Sequence, residues 1–256
     1  MRTRYLKIEN LSYSIENTEI LKHISFEAEK GELIGIIGPN GSGKTSLLKN
    51  IGGIYKVEKG NIFILGKEIR DYEEKELAKK VAFMKQKTDL SFDFSCLDIV
   101  MFGRYPHLKN FEDYGEKDIA ISEKYMQQTH TMLFRDKSIL ELSGGEVQRV
   151  MFAKILTQES DILLLDEPSS NLDMRYEEEL FQNLQKQKEK LIITVIHNLR
   201  VAIKYCTRLI LLSEGKIIKD GKAEEVITEE LLKQVYEIEA RVYRNPITGA
   251  LDFYIL

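Results

Sequence analysis

Leu33-Ile34-Gly35-Ile36-Ile37-Gly38-Pro39-Asn40-Gly41-Ser42-Gly43-Lys44-Thr45-Ser46-Leu47-Leu48 is the stretch on which the fold turns. Leu33 to Ile37 is a continuous apolar run of strand length, which reads as a buried strand. Gly38 to Gly43 cannot continue a strand, and Lys44 to Ile51 then has helical character. Strand, glycine loop and helix in this order satisfy the phosphate-binding loop pattern in full from Gly38 to Thr45. The physical reason is specific. Glycines let backbone N–H groups converge on phosphate oxygens and the helix N-terminus adds partial positive charge, while Lys44 reaches the terminal phosphates and the Thr45 hydroxyl ligates magnesium. A plain glycine turn needs neither the lysine nor the hydroxyl. Gly38, Pro39, Asn40, Gly41, Ser42, Gly43, Lys44, Thr45 and Ser46 are therefore the candidate ATP-binding set.

Outward from this stretch, strands are expected at Tyr5–Glu9 and Ile24–Glu29, near Asn61–Leu65 and at Val81–Met84, with a charged helix near Tyr72–Lys80. From Cys96 to about Glu141 no strand is evident, and helices are expected near Leu97–Phe102 and Glu116–Thr131. Alternation then resumes: helix Val147–Thr157, strand Ile162–Leu165, helix Tyr176–Lys188, strands Leu191–Ile196 and Leu209–Leu212. A helix near Glu229–Ile238 and a hairpin of Arg241–Arg244 with Leu251–Ile255 close the chain. Strands alternating with helices predict an α/β fold with a mostly parallel sheet covered on both faces.

The bulk numbers set limits. The 256 residues are 43% hydrophobic and 30% charged, which excludes a disordered or low-complexity chain. The formal net charge of −4 comes from interspersed acids and bases, so no global field invites nucleic acid or anionic lipid. Cys96 and Cys206 lie far apart without metal-ligand spacing and are expected as reduced packing thiols. The start, Met1-Arg2-Thr3-Arg4-Tyr5, is too polar for a secretory leader, and no apolar run approaches the roughly 20 residues needed to cross a bilayer.

Two further constellations carry chemistry. Ile162-Leu163-Leu164-Leu165-Asp166-Glu167-Pro168 places two carboxylates just past an apolar strand, where ligands of open α/β sheets bind. Asp166 suits magnesium, directly or through water, and Glu167 is placed to polarise an attacking water. Leu142-Ser143-Gly144-Gly145-Glu146 precedes an amphipathic helix, with Ser143 and Glu146 spaced as a capping box. Capping leaves Gly144 and Gly145 unexplained, and glycines at a helix start let another molecule's phosphate approach the N–H groups.

With these motifs in this order, the sequence resembles the ATP-binding-cassette ATPase family, whose signature Leu142 to Glu146 reproduces. The resemblance covers essentially the whole chain. It implies one cassette domain, with a RecA-like core plus an antiparallel β subdomain over about 1–95 and 142–256 and a helical signature subdomain over about 96–141. It implies hydrolysis of ATP with Mg2+ by a homodimer in which Ser143, Gly144, Gly145 and Glu146 meet the γ-phosphate held by the partner subunit's Lys44. By the same resemblance Gln86 senses magnesium, alongside Thr45 and Asp166, and the attacking water. His197 contacts the γ-phosphate and Glu167, and Asp173 lies in the loop Ser169-Ser170-Asn171-Leu172-Asp173 that links the two sites. Two departures stand out. The aromatic that stacks on adenine is expected at Ile15, with Tyr13 two residues earlier, so either residue is the candidate; and the residue after the histidine is Asn198 where aspartate is usual. His23, His107 and His130 have no comparable placement.

Met101-Phe102-Gly103-Arg104-Tyr105-Pro106-His107-Leu108 resembles a segment typical of importers of ferric siderophores, haem and cobalamin, as do Glu239-Ala240-Arg241-Val242 and Pro246-Ile247-Thr248-Gly249. This implies a subunit on the cytoplasmic face of the membrane, bound to two integral-membrane permease subunits and served indirectly by a solute-binding protein. Phe102 to Leu108 is then expected on the surface that docks the permease; the plain alternative is that Arg104 and Tyr105 cap and pack a helix. A cassette ATPase acting on nucleic acid or the ribosome is the rival reading, opposed by the lack of a basic stripe, a second cassette or a coiled coil. A phosphate-loop kinase would leave Leu142 to Glu146 unexplained.

Overall fold

The computed structural model describes residues 4–56, 61–86, 92–109 and 111–256; the polar start at Met1 to Thr3 lies outside them. The chain divides into two compact units, Met1–Tyr72 with Gln185–Leu256, and Glu73–Leu184.

The first unit opens with two antiparallel strands, β1 (Arg4–Ile15) and β2 (Thr18–Glu29). The sequence pattern marked only the halves furthest from their turn. Asn10 and His23, at φ 49° and 54°, flank the Leu11–Ile24 pair, and the register slips on both sides of it, so the period-2 signal fails. The Asn10 side-chain oxygen also meets His23 Nδ1 at 2.8 Å, which gives that histidine a structural place. β3 (Leu33–Ile37) is buried at every residue, and α1 (Lys44–Ile51) follows the glycine loop. β4 (Ile62–Ile64) and β5 (Lys67–Glu68) complete a four-stranded sheet in the order β2-β1-β4-β5.

The second unit contains α2 (Glu74–Lys80), β6 (Val81–Met84), α3 (Cys96–Met101), a 3-10 turn over Phe102–His107, α4 (Glu116–Gln128), α5 (Gly144–Thr157), β7 (Ile162–Asp166) and α6 (Met174–Lys186). β6 and β7 pair in parallel, from Val81 opposite Ile162 to Met84 opposite Leu165. Val100, Met126, Ala153 and Leu156 are wholly buried among its helices. A Cβ on Gly103 would lie 2.3 Å from the Lys154 carbonyl of α5, so only glycine fits where the 3-10 turn crosses that helix. Burial pushes the Cys96 thiol up to about 11, followed by the nearby charge of Glu141, in keeping with a packing thiol.

The chain returns to the first unit as β8 (Leu191–Val195), α7 (Leu199–Tyr205), β9 (Arg208–Ser213), β10 (Lys216–Gly221), α8 (Ala223–Val226), α9 (Glu229–Tyr236) and a terminal hairpin, β11 (Ala240–Arg244) with β12 (Leu251–Ile255). β3 pairs in parallel with β8 and with β9, and β10 runs antiparallel to β9. The α/β class, its mostly parallel strands and its separate antiparallel sheet are as the sequence predicts. α7, α8 and β10 were not expected: the two helices are short, and β10 carries little apolar alternation because its residues are largely exposed. Among the described residues no helix is long and apolar enough to cross a membrane.

Candidate active site

The phosphate loop forms in the first unit because its glycines tolerate what it requires. Gly38 sits at φ 145°, where a Cβ would fall 1.9 Å from the Leu212 carbonyl, and Gly43 at φ 100° caps α1. Lys44 Nζ donates to the carbonyls of Gly38 at 2.9 Å and Pro39 at 2.7 Å, which fixes the ammonium across the mouth of the loop. α1 has no acidic residue in its first turn and no side-chain cap, so its N–H groups and dipole favour an anion. Ser42 Oγ, in a residue 2% exposed, is buried without a hydrogen-bond partner, a further polar atom suited to a phosphate oxygen.

The two adenine candidates have different surroundings. The Tyr13 ring stacks on Tyr55 at 4.8 Å and 9° between planes, and Lys49 Nζ lies 5.4 Å from the Tyr55 ring. Ile15, two residues on, is 44% exposed. Tyr55, which follows α1, was not singled out from the sequence; only the fold brings it to Tyr13. His197 follows the buried Ile196 and is exposed. Asn198 caps α7, its side-chain oxygen accepting from the N–H groups of Arg200 at 3.2 Å and Val201 at 3.4 Å. Asparagine caps as well as aspartate, so this departure from the family pattern keeps its local contact.

In the second unit Asp166 ends β7 and is 3% exposed. Glu167 follows at φ 50°, a left-handed backbone that costs a non-glycine residue roughly 1–2 kcal/mol and aims its carboxylate off the strand. Gln86, just past β6, donates from Nε2 to Glu167 Oε2 at 2.6 Å. Two residues 81 positions apart, chosen separately from the sequence, thus meet in space. Gln148 of α5, which the sequence reading passed over as one polar residue in an amphipathic helix, is 5% exposed and bonded to the turn that carries Glu167.

The Ser143–Glu146 capping box is present. Ser143 N–H donates to Glu146 Oε2 at 2.8 Å, its hydroxyl to the same oxygen at 2.7 Å, and the Glu146 N–H returns to Ser143 Oγ at 3.4 Å. The Ser143 hydroxyl and N–H hold the Glu146 carboxyl below its ordinary range. Gly145 has a reason inside the chain that the sequence did not suggest: a Cβ there would lie 3.0 Å from the Asn171 carbonyl. Gly144 is exposed, with its nearest neighbour for a Cβ at 3.9 Å, and stays open to another molecule. Asp173 stands just before α6, its Oδ1 accepting the Tyr176 N–H at 3.0 Å.

Arg104 requires a correction. Expected on a docking surface, it is 5% exposed, with Nε 3.1 Å from Asp118 Oδ1 and Nη1 2.9 Å from both Glu159 Oε2 and the Thr157 carbonyl. His107 Nε2 is likewise engaged, 2.8 Å from the Gln158 carbonyl. Tyr105, 64% exposed, keeps the expected accessibility. The 3-10 turn sends consecutive side chains to different sides, which a linear segment does not disclose.

A phosphate-binding strand, loop and helix, with a carboxylate held by a glutamine, define a phosphate-loop ATPase. The ABC transporter family profile matches residues 21–170, and the chain belongs to that family; it is an ATP-hydrolysing subunit of the transporter class. The ABC transporter ATP-binding protein YvrA of Bacillus subtilis is 39% identical over 91% of this chain, which spans 54% of that protein's length. The iron(3+)-hydroxamate import ATP-binding protein FhuC of Bacillus subtilis is 33% identical over 95% of this chain and 92% of its own. The cobalamin import ATP-binding protein BtuD of Halobacterium salinarum is 29% identical over 96% of this chain and 62% of its own. Among solved structures, a metal-chelate type ABC transporter in an inward-facing conformation superposes with a TM-score of 0.85 at 22% identity, covering 99% of this chain and 98% of that one, which shows the shared fold.

Proposed function

We propose that this chain powers import of a metal chelate, a ferric siderophore or cobalamin, by hydrolysing ATP on the cytoplasmic face of a membrane while bound to two permease subunits. The observation that carries the ATPase part is the 2.6 Å bond between Gln86 and Glu167, which fixes the carboxylate that would orient the attacking water. The substrate class is supported by similarity across more than nine-tenths of the chain to ATPases named for iron(3+)-hydroxamate and cobalamin import. Haem rests on the segment resemblance alone, since none of the relatives described above is named for it. The interspersed charge and net −4 give no support to a nucleic-acid partner.

In this reading the chain is one cassette domain that dimerises on ATP. Gly38 to Ser46 hold the phosphates, Lys44 neutralises the terminal ones, and Glu167 and His197 act on the water and the γ-phosphate. The Thr45 hydroxyl, the Gln86 carboxamide and the buried Asp166 carboxylate are hard oxygen donors of the kind Mg2+ takes while keeping waters and phosphate oxygens. When bound, Mg2+ would supply charge neutralisation at the phosphates. Tyr13 or Ile15 contacts adenine. Ser143 and Gly144, with Glu146 fixing the turn, face the nucleotide of a second copy, and Asp173 lies in the loop linking the two sites. The permease docks on the second unit at exposed aromatic side chains, the cluster Phe92, Phe94 and Phe102, in which Phe94 packs edge-on to Phe102 at 5.3 Å, and Tyr105 of the adjoining turn. A binding protein acts indirectly, through the permease.

The test is co-purification of the tagged chain with two many-helix membrane subunits, followed by ATP-dependent uptake of labelled ferric hydroxamate and of labelled cobalamin into proteoliposomes. Association with uptake of one of them is the expected result. Failure to associate with membrane subunits, or co-purification with ribosomes instead, would overturn the reading.

A further inference from the structure

Gln148 lies one helical turn beyond the Ser143 cap and is 5% exposed. Its carboxamide is used in both directions. Nε2 donates to the Pro168 carbonyl at 2.6 Å and the Glu167 carbonyl at 3.2 Å, and Oε1 accepts the Asn171 N–H at 3.2 Å. Chemistry fixes this orientation, because two carbonyls need the amino group and an N–H needs the oxygen. All three backbone groups belong to the turn that begins with Glu167 at φ 50° and runs to the Asp173 cap of α6. The same turn approaches the start of α5 so closely that a Cβ at 145 would press on the Asn171 carbonyl at 3.0 Å. Gln86 holds the Glu167 carboxylate, and Gln148 holds its main chain.

We infer that Gln148 is a positioning residue for ATP hydrolysis. It sets the backbone from which the Glu167 carboxylate projects, and it ties that backbone to the end of α5 that carries Ser143. A buried carboxamide, bonded through both its nitrogen and its oxygen, thus connects two chemically distinct motifs within this unit. A shift of the α5 terminus on meeting a second copy's nucleotide would therefore be felt at this chain's own Glu167 through three hydrogen bonds. The inference rests on the proposed reading of Glu167 as the water-orienting group and of Ser143 as a contact to the second copy.

The experiment uses the full-length subunit with Gln148→Met, which keeps the length and removes every hydrogen bond, and Gln148→Glu, which keeps the acceptor for Asn171 and loses the donors to Glu167 and Pro168. Steady-state ATPase kinetics, melting temperature and MgATP-dependent dimer formation by size-exclusion chromatography are measured beside Glu167→Gln. Both variants should lose about tenfold or more in kcat with KM for ATP within about twofold. Both should also accumulate the ATP-bound dimer, because the lesion lies at the water and not at the Ser143 contact. Unchanged kcat overturns the inference. So does loss of the dimer together with kcat, which would make Gln148 a support for Ser143 alone, and so does failure of both variants to fold, which would make it purely structural. If Glu167→Gln itself turns over normally or forms no ATP-bound dimer, the reading of Glu167 fails instead, and the control separates that outcome from failure at Gln148.

Discussion

Arg104→Ala should destabilise the protein, whereas Tyr105→Ala, one residue on, should leave stability alone and act on the permease. The Arg104 side chain is 6% exposed, and its guanidinium meets Asp118, Glu159 and the Thr157 carbonyl. Truncation leaves the Asp118 carboxylate, 15% exposed, without its cation. Removing one partner of a buried ion pair costs about 3–5 kcal/mol. The Glu159 side chain is 38% exposed and solvent screens its share, so the lower end, about 3 kcal/mol, applies. At about 2–4 °C per kcal/mol for a chain of this size, the melting temperature should fall by about 6–12 °C. Acid supplies a second readout. Burial alone would raise the Asp118 carboxyl, but hydrogen bonds from Gly115 and Arg104, with the Arg104 charge, outweigh it and hold the group below its usual 3.8. A depressed carboxylate contributes stability that is complete above its unfolded pKa and lost as pH falls through the folded one. The gap between wild type and Arg104→Ala should therefore narrow as the pH drops below 3.8. Circular-dichroism melts at neutral and acid pH check both points. Arg104→Glu, which sets a third carboxyl beside Asp118 and Glu159, should not fold. A melting temperature for Arg104→Ala within about 2 °C of wild type would refute the reasoning. Tyr105→Ala, at an exposed site, should change stability by less than about 0.5 kcal/mol and keep basal ATPase activity while weakening permease binding in a pull-down.

Glu167→Gln should bind ATP normally and lose nearly all hydrolysis, a barrier increase of several kcal/mol; near wild-type turnover in a phosphate-release assay would remove Glu167 from its role. If the Tyr13 ring stacks on adenine, Tyr13→Ala should weaken ATP binding by roughly 1–3 kcal/mol by calorimetry, whereas an unchanged Kd together with a loss in Ile15→Asp would assign the base to Ile15. A mixed dimer with Lys44→Ala on one chain and Ser143→Arg on the other should keep one intact ATP site, and the same two changes on a single chain should damage both. Equal ATP occupancy in the two arrangements, read by filter binding, would rule out the sandwich.

Local chemistry was legible wherever consecutive residues form the device. The phosphate loop is one uninterrupted run whose glycines, lysine and hydroxyl act through a backbone turn those residues dictate, so Gly38 to Thr45 could be placed on strand, loop and helix directly. The Ser143–Glu146 capping box is equally local, since a three-residue spacing closes on itself in any helix start. Continuous apolar strands such as Leu33–Ile37 and Leu191–Val195, in which Thr194 is the one polar side chain, announced themselves because both faces are buried. Tertiary structure decided what depends on meetings between distant segments. Only it brings Gln86 to Glu167, lays Tyr55 on Tyr13, and aims the Gln148 carboxamide at the turn after β7. Only it turns Arg104 inward while its neighbour Tyr105 stays in water. The physical reason is the same in each case. A side chain's type and spacing fix what it can bond to, but the partner is supplied by the packing of whole elements, and one 3-10 turn or one left-handed residue redirects a side chain without changing the pattern that announces it.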